Sequence, residues 1–212
     1  MSLINRFKKE LYLKILYIGP AKSGKSENLR QIYASMETKE PAGFLVHKSP
    51  DNTPEKQSLF FDFLPLSLGK IVDYDVRLHL FTIPGSGKYD AVTRLMLRGI
   101  DGVVCVLPSL PDRIEECNAS LKYAEELLRS YGKSFGEVPV VFQYTFMDST
   151  LALPIDTLRE LYNPAGFPDF PAQAHKGKGV LETLRGMTHE ALHQFKTDQA
   201  QVGDVATQEG VD

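Results

Sequence analysis

The stretch Gly-Pro-Ala-Lys-Ser-Gly-Lys-Ser at residues 19–26 fits the phosphate-binding pattern G-x-x-x-x-G-K-[ST]. Residues 11–18 before it form an apolar run, rich in β-prone side chains, which predicts a buried strand. Residues 27–36 after it carry apolar side chains at helical spacing. Because a strand, a glycine loop and a helix are the context that this motif requires, the stretch predicts a phosphate site.

The residue types of this loop suit an anion. Gly19 and Gly24 allow the backbone to curl so that successive N–H groups point inward, and the next helix adds its positive dipole end. Lys25 supplies a full charge for β- and γ-phosphates, and the Ser26 hydroxyl is a ligand for Mg²⁺. The residues predicted to bind here are Gly19, Ala21, Lys22, Ser23, Gly24, Lys25, Ser26 and Glu27.

The composition indicates one globular domain. The chain has 212 residues, of which 42% are hydrophobic and 24% charged, and this balance is typical of a water-soluble protein. A net charge of -3 without a basic cluster argues against nucleic acid as the main partner. No apolar run is long enough for a membrane helix, and Cys105 and Cys117 fall in predicted core elements, so we expect a cytoplasmic protein.

Strands and helices alternate along the rest of the chain. Strands are predicted at 59–64, where Pro65 would end the strand, and at 74–82, 102–107, 138–144 and 170–174. Helices are predicted at 91–98, 112–131, 155–162 and 180–195, and 37–57 reads as a long loop with a possible strand at 43–47. The alternation predicts an α/β fold with a mostly parallel sheet and one antiparallel hairpin at its edge. We expect residues 1–10 to be a polar lead-in, 11–196 the domain and 197–212 a disordered acidic tail.

A phosphate loop alone leaves kinases, ATPases and GTPases open, and the order of later features narrows the choice. Gly85 follows the third strand, where a Ras-like GTPase uses a glycine N–H to sense the γ-phosphate. The stretch from Thr145 to Asp148 stands in the place of the guanine-reading N-K-x-D motif. His175 lies in the place of the S-A-K loop that backs the base.

The chain resembles the MglA-type Ras-like GTPases of bacterial motility and polarity from about residue 10 to 196. The most specific blocks are F-F-D-F-L-P-L at 60–66 and T-I-P-G at 82–85, with L-R-G-I-D-G-V-V at 97–104 and G-K-G-V-L-E-T-L at 177–184. The resemblance implies a three-layer Ras-like P-loop fold that binds GTP or GDP with Mg²⁺ and acts as a molecular switch. It also implies a roadblock-fold activator resembling MglB, polarity or motility effectors, and localisation at a cell pole.

The chain departs from this family at three catalytic positions. Ala21 replaces a P-loop glycine, and its methyl group projects to where a catalytic side chain would approach. Gln57 replaces an arginine that is worth about 10³–10⁵ in rate where it stabilises the transition state. Ser86 replaces a glutamine that orients water and is too short for that task. We therefore expect slow or absent GTP hydrolysis.

The base and metal positions are also altered. Asp148 is retained, and its carboxylate can accept both N1–H and the exocyclic amine of guanine. Thr145 replaces the asparagine that ties this loop to the P-loop, and Phe146 replaces a lysine whose stem covers the base. For Mg²⁺, Ser26 and Ser58 keep hydroxyl ligands. Thr82 stands where an aspartate is usual, which leaves Asp62 as the nearest carboxylate.

Two functions compete at this stage, because a P-loop kinase or ATPase, the third reading, needs a lid or an arginine-bearing insertion and no segment here is long enough for one. The first is a guanine-nucleotide switch of the MglA type with weak hydrolysis. The alternative is a pseudo-GTPase scaffold that binds partners without nucleotide control, which the altered residues Thr82, Thr145 and Phe146 favour. The intact Lys25 and Ser26 count against the scaffold.

Overall fold

The computed structural model describes residues 3–5, 7–36, 62–71, 73–83 and 98–208. The strands are β1 (Leu3–Asn5), β2 (Glu10–Ile18), β3 (Phe63–Ile71), β4 (Tyr74–Thr82), β5 (Gly102–Pro108), β6 (Val140–Thr145) and β7 (Asp169–Pro171). The α-helices are α1 (Lys25–Ala34), α2 (Ile114–Arg129), α3 (Ile155–Tyr162) and α4 (Val180–Gln208). Short 3₁₀ turns occupy Pro111–Arg113 and Ala174–Lys176.

The strands form one sheet in the order β3-β4-β2-β5-β6-β7. β2 runs parallel to β4 and β5, and the series continues in parallel through β6 to β7. β3 and β4 pair antiparallel at the edge, which confirms the predicted hairpin. Because the parallel strands all point the same way, the loops after β2, β4, β5 and β6 lie together at the carboxyl ends of these strands.

Two apolar cores, one on each face of the sheet, give the fold three layers. One core joins inward side chains of β2 and β4 to α1 and α4, with Leu29 and Met187 fully buried. The other joins β5 and β6 to α2 and α3, with Cys117 and Leu158 fully buried. Cys105 is also fully buried, so both cysteines are core residues as predicted.

The edge hairpin differs from its prediction. We expected Pro65 to end a strand, but β3 passes through Pro65 and continues to Ile71, with a register shift between Ser67 and Gly69. The edge position explains this, since an edge strand tolerates a residue that lacks an N–H. At the chain start, the expected polar lead-in contains β1, which pairs antiparallel with β2.

The last helix is longer than the sequence predicts. We expected a disordered tail from residue 197, whereas α4 continues to Gln208. Contacts one turn apart stabilise the helix across residues 193–198, because Gln194 Nε2 donates to Asp198 Oδ1 at 2.8 Å and Thr197 Oγ1 donates to the His193 carbonyl at 3.1 Å. The predicted loop at 37–57, the possible strand at 43–47, the first three residues of the 59–64 strand and nearly all of the 91–98 helix lie outside the described residues.

A buried polar chain joins the layers beneath the phosphate loop. The side-chain amides of Asn28 in α1 and Gln143 in β6 exchange two hydrogen bonds, at 2.7 and 2.8 Å. Gln143 Nε2 also donates to Thr183 Oγ1 in α4 at 2.9 Å, and that hydroxyl donates to the Gly179 carbonyl. All three side chains belong to fully buried residues. The network therefore fixes α1, and with it the loop before α1, against β6 and α4.

We expect Gln143→Ala to lower the free energy of unfolding by about 2–4 kcal/mol, because the buried Asn28 amide loses both of its hydrogen bonds to Gln143 and the Thr183 hydroxyl loses its donor. Urea unfolding followed by circular dichroism measures the change. Gln194→Ala is the matched control, since this glutamine is partly exposed and its side-chain hydrogen bond goes to Asp198 in the next helical turn, and we expect it to cost less than about 0.5 kcal/mol. Equal losses in the two variants would contradict a structural role for the network.

Candidate nucleotide-binding site

The phosphate loop joins β2 to α1 at the carboxyl ends of the parallel strands, and two glycines allow its path. A Cβ atom at Gly19 would lie 2.1 Å from the Val106 carbonyl oxygen, so no larger residue fits there. Gly24 has a φ of 101°, a conformation that side chains disfavour, and it caps α1. The first helical hydrogen bond follows, from the Asn28 N–H to the Gly24 carbonyl at 2.9 Å. The main chain thus curls around one point at the start of α1, as the sequence predicts.

Lys25 lies inside this curl. Its Nζ donates to the carbonyl oxygens of Gly19 at 2.8 Å and Pro20 at 2.7 Å, and the residue is 7% exposed. Burial lowers the pKa of its ammonium group to about 8, with Arg113 lowering and Asp62 raising it. A negatively charged phosphate group beside this nitrogen would favour its protonated form.

The lowered pKa of Lys25 predicts that nucleotide affinity depends on pH. Below about pH 8 Lys25 is already protonated, so binding takes up no proton there. Above about pH 8 the free protein has lost this proton and must take it back on binding a phosphate, so affinity falls by up to about tenfold per pH unit. Titration calorimetry with GDP from pH 7 to 9.5 measures the fall.

The base itself also titrates at high pH, so the control is Lys25→Arg, whose side chain stays charged throughout. We expect the nucleotide affinity of this variant to show only the shallower pH dependence that comes from titration of the base. A wild-type protein with the same profile as Lys25→Arg would contradict the assignment.

The Thr145 hydroxyl donates to the Ser23 carbonyl at 2.9 Å and links the end of β6 to the phosphate loop. The sequence comparison marked this threonine as a departure from asparagine, and the structure shows that it makes such a link. The Ser23 side chain is fully buried beneath the loop. Ser23 was predicted to bind phosphate and has only its main chain to offer for that purpose.

Asp148, the predicted base reader, is paired with the loop after β7. Its Oδ2 lies 2.7 Å from Lys176 Nζ and 3.3 Å from His175 Nε2. The hydrogen bond from Lys176 lowers the pKa of the Asp148 carboxyl, so it is ionised at neutral pH and can accept hydrogen bonds from the N–H groups of a base edge. Phe146 is half-buried and has a φ of 61°, in the left-handed region that residues other than glycine rarely adopt. The turn between Thr145 and Asp148 therefore contains a strained residue.

Asp62, just before β3, and Thr82, at the end of β4, are joined by two hydrogen bonds at the open end of the edge hairpin. The Thr82 hydroxyl donates to Asp62 Oδ2 at 3.0 Å and accepts from the Asp62 N–H at 2.8 Å. The Asp62 carboxylate is close enough to Lys25 to raise the pKa of that ammonium group. A carboxylate held beside the loop that carries Ser26 fits a divalent cation, either directly or through water. Across the described residues no three acidic, histidine or cysteine side chains are grouped so that they could hold a metal ion by themselves.

The remaining predicted residues divide into two groups. Glu27 accepts hydrogen bonds from Arg30 and Gln31 on its own helix, and Ala21 is exposed at the mouth of the loop. The positions predicted for the γ-phosphate, the second metal hydroxyl and catalysis lie outside the described residues: Gln57, Ser58, Gly85 and Ser86.

The chain matches no family model. It is similar to the mutual gliding-motility protein MglA of Myxococcus xanthus, with 39% identity over 198 residues that cover 92% of this chain and 98% of that protein. The chain belongs to the MglA family. The resemblance in the sequence blocks is confirmed, and the three-layer, mostly parallel sheet with its edge hairpin is the Ras-like α/β fold expected of such a protein. None of the helices in the described ranges has both the length and the apolarity that crossing a bilayer requires.

Sequence reasoning missed two contacts of the site. For the base loop it named His175 and not the neighbouring Lys176, and it read Arg113 only as part of the predicted helix at 112–131. In the structure an Arg113 Nη2–H donates to the Ala21 carbonyl at 2.7 Å. The signal was present, because Arg113 follows the carboxyl end of β5, which borders the strand that leads into the phosphate loop.

Proposed function

We propose that this MglA-family protein is a guanine-nucleotide-binding switch. The observation that carries the proposal is the loop at 19–26, where glycine-dependent curvature, a helix start and the buried Lys25 ammonium group converge on one point. These groups are the ones that hold β- and γ-phosphates.

The base is guanine in this proposal. Asp148 is ionised and partly exposed beyond the end of β6, so its carboxylate is available to accept the N1–H and amine protons of guanine, which adenine does not offer. Thr145 supports the same assignment, since its hydrogen bond to Ser23 ties the base loop to the phosphate loop. GTP and GDP are the expected ligands.

Mg²⁺ accompanies the nucleotide in this proposal. Ser26 and Ser58 supply hydroxyl ligands, and Asp62 supplies a carboxylate through water. The ion would offset phosphate charge, while Lys25 and the loop N–H groups hold the phosphates in place. Removal of Mg²⁺ with a chelator should weaken GTP binding more than GDP binding, because GTP carries the additional phosphate.

We expect hydrolysis to be slow or absent, since Ala21, Gln57 and Ser86 each replace a residue that supports catalysis in the family. The switch would then be reset by nucleotide exchange or by a partner. The family resemblance suggests a roadblock-fold activator like MglB, effectors of polarity or motility, and a cytoplasmic protein that gathers at a cell pole.

A pseudo-GTPase scaffold is the second candidate, and the pairing of Asp148 with Lys176 favours it. At 2.7 Å this ion pair occupies one carboxylate oxygen that a guanine base would use. If the pair persists, the base pocket recognises bases poorly and the chain works through its surface.

Calorimetry and thermal unfolding with GTP, GDP and ATP separate the two candidates. A ligand that binds the native state at 100 times its dissociation constant stabilises it by about 2.7 kcal/mol and raises the unfolding midpoint. The switch requires GTP and GDP to give this shift and ATP to give little. Absence of any shift with Mg²⁺ present would favour the scaffold, and a preference for ATP would contradict the guanine assignment.

Restoring the family's catalytic side chains tests the hydrolysis proposal. We expect the double variant Gln57→Arg with Ser86→Gln to hydrolyse GTP at least about tenfold faster than wild type, a small part of the 10³–10⁵ that an arginine in this role contributes elsewhere. Single-turnover assays with and without a roadblock-fold partner measure the rate. Rapid hydrolysis by the wild-type chain would contradict the proposal, since other groups would then replace Gln57 and Ser86.

A further inference from the structure

Building on the proposed function, we propose that Arg113 is a positioning residue, which turns the peptide between Ala21 and Lys22 so that the Lys22 N–H faces the phosphates. The contact that points to this role is a hydrogen bond of 2.7 Å from Arg113 Nη2 to the Ala21 carbonyl oxygen. It spans 92 positions in the sequence, from the 3₁₀ turn after β5 to the phosphate loop.

The planar peptide unit turns a contact on one side into an orientation on the other. The C=O of Ala21 and the N–H of Lys22 belong to the same trans peptide, so they point in opposite directions. A guanidinium group that holds the carbonyl on the outer side of the loop therefore directs the amide hydrogen toward the inner side. Loop N–H groups on that side cradle phosphates in this motif.

The backbone conformation of Lys22 is one that an additional contact would stabilise. Its φ is 59°, in the left-handed region that non-glycine residues rarely occupy. The neighbouring turn is closed by a hydrogen bond of 3.3 Å from the Ser23 N–H to the Pro20 carbonyl, which is long for a main-chain contact. A charge-assisted bond to the carbonyl inside this turn stabilises the conformation that the strained residue adopts.

Arg113 is itself held in place. Its Nε and Nη2 both donate to Glu116 Oε2, at 2.9 and 2.6 Å, one helical turn further along. Its side chain is 19% exposed, so the guanidinium group is largely covered. The same group lowers the pKa of Lys25, which places its charge within range of the phosphate site. Glu116 thus fixes the arginine, and the arginine fixes the loop.

Three substitutions test the role on the full-length protein. Arg113→Ala removes the contact, Arg113→Lys keeps a donor but loses the planar fork, and Arg129→Ala is the control, since it removes an arginine from the far end of α2, the helix that follows Arg113. The measurements are GDP and GTP affinities by calorimetry, the ¹H–¹⁵N resonance of the Lys22 amide in the nucleotide-free protein, and the unfolding midpoint without nucleotide.

We expect Arg113→Ala to weaken GDP and GTP binding alike, by about five- to tenfold, because both nucleotides use the same amide. The Lys22 resonance should move while the unfolding midpoint changes little, Arg113→Lys should restore part of the affinity, and Arg129→Ala should match wild type. Equal affinities in wild type and Arg113→Ala, or a loss confined to GTP, would overturn the positioning role. A wild-type protein that binds neither nucleotide would instead overturn the proposed function.

Discussion

Lys25→Ala is expected to abolish nucleotide binding under conditions where the wild-type protein is saturated. Truncating one partner of a buried, hydrogen-bonded charge pair costs about 2–5 kcal/mol. That loss corresponds to about a 30- to 5,000-fold rise in the dissociation constant. The lysine is 7% exposed, so water does not replace the lost charge freely.

The same substitution affects the free protein in a different way. Nζ donates to the carbonyl oxygens of Gly19 and Pro20, which lose a donor in the variant. Both residues are buried, so their carbonyl oxygens become buried acceptors without this donor. We therefore expect a loss of about 1–3 kcal/mol in the free energy of unfolding without nucleotide. The binding measurement is therefore made on a variant whose unfolding free energy has been measured as well.

Calorimetry with Mg²⁺-GTP and Mg²⁺-GDP measures the loss, and circular dichroism confirms that the variant is folded. Lys122→Ala is the matched control, because Lys122 is an exposed residue of α2 remote in sequence from the loop. It should bind as wild type does. A Lys25→Ala protein that still takes up nucleotide with wild-type affinity would refute the phosphate site on which the proposed function depends.

The core of the fold was predictable because its signals are local. β5 is a run of seven buried residues, as its continuous apolar sequence predicts, and β4 and α3 begin and end where their periodicity places them. Edge elements were harder. A proline interrupts a strand in the interior of a sheet because it lacks an N–H. Pro65 is tolerated because β3 lies at the sheet edge, and the local sequence does not reveal that position.

The site shows the same limit at the level of single contacts. The loop glycines and Lys25 form a contiguous motif, so the sequence alone assigns them. Thr145 was read as a lost asparagine, yet its hydroxyl reaches the Ser23 carbonyl across 122 positions. The partners of Arg113 and Lys176 likewise depend on which loops the sheet brings together, and such pairings follow from topology, not from neighbouring residues.

Asp148→Asn is the second large effect we expect, and it concerns the base. A carboxylate offers two acceptors to the N1–H and exocyclic amine of guanine. The asparagine amide replaces one acceptor with a donor, which opposes the guanine amine but matches the C2 carbonyl of xanthine. We expect the variant to lose GTP affinity and to gain affinity for XTP, so that the preference between them changes by about a hundredfold or more.

The ion pair at this position makes the test sharper. Oδ2 of Asp148 lies 2.7 Å from Lys176 Nζ, so a guanine base must share the carboxylate with Lys176 or displace it. Lys176→Ala removes that competitor and is expected to leave the preference for GTP over XTP in place. Asp156→Asn, the same change at an exposed position in the first turn of α3, should bind as wild type does.

Competition of GTP and XTP for a fluorescent GDP analogue measures the preference. Two results separate the candidate functions. If Asp148→Asn reverses the preference, the carboxylate reads the base despite its contact with Lys176, and the pocket is a working guanine site. If GTP and XTP compete equally in wild type and variant, the ion pair closes the pocket to the base, and any nucleotide is held by its phosphates alone. A switch that distinguishes nucleotides only by phosphate number would then have to accept ATP as readily as GTP.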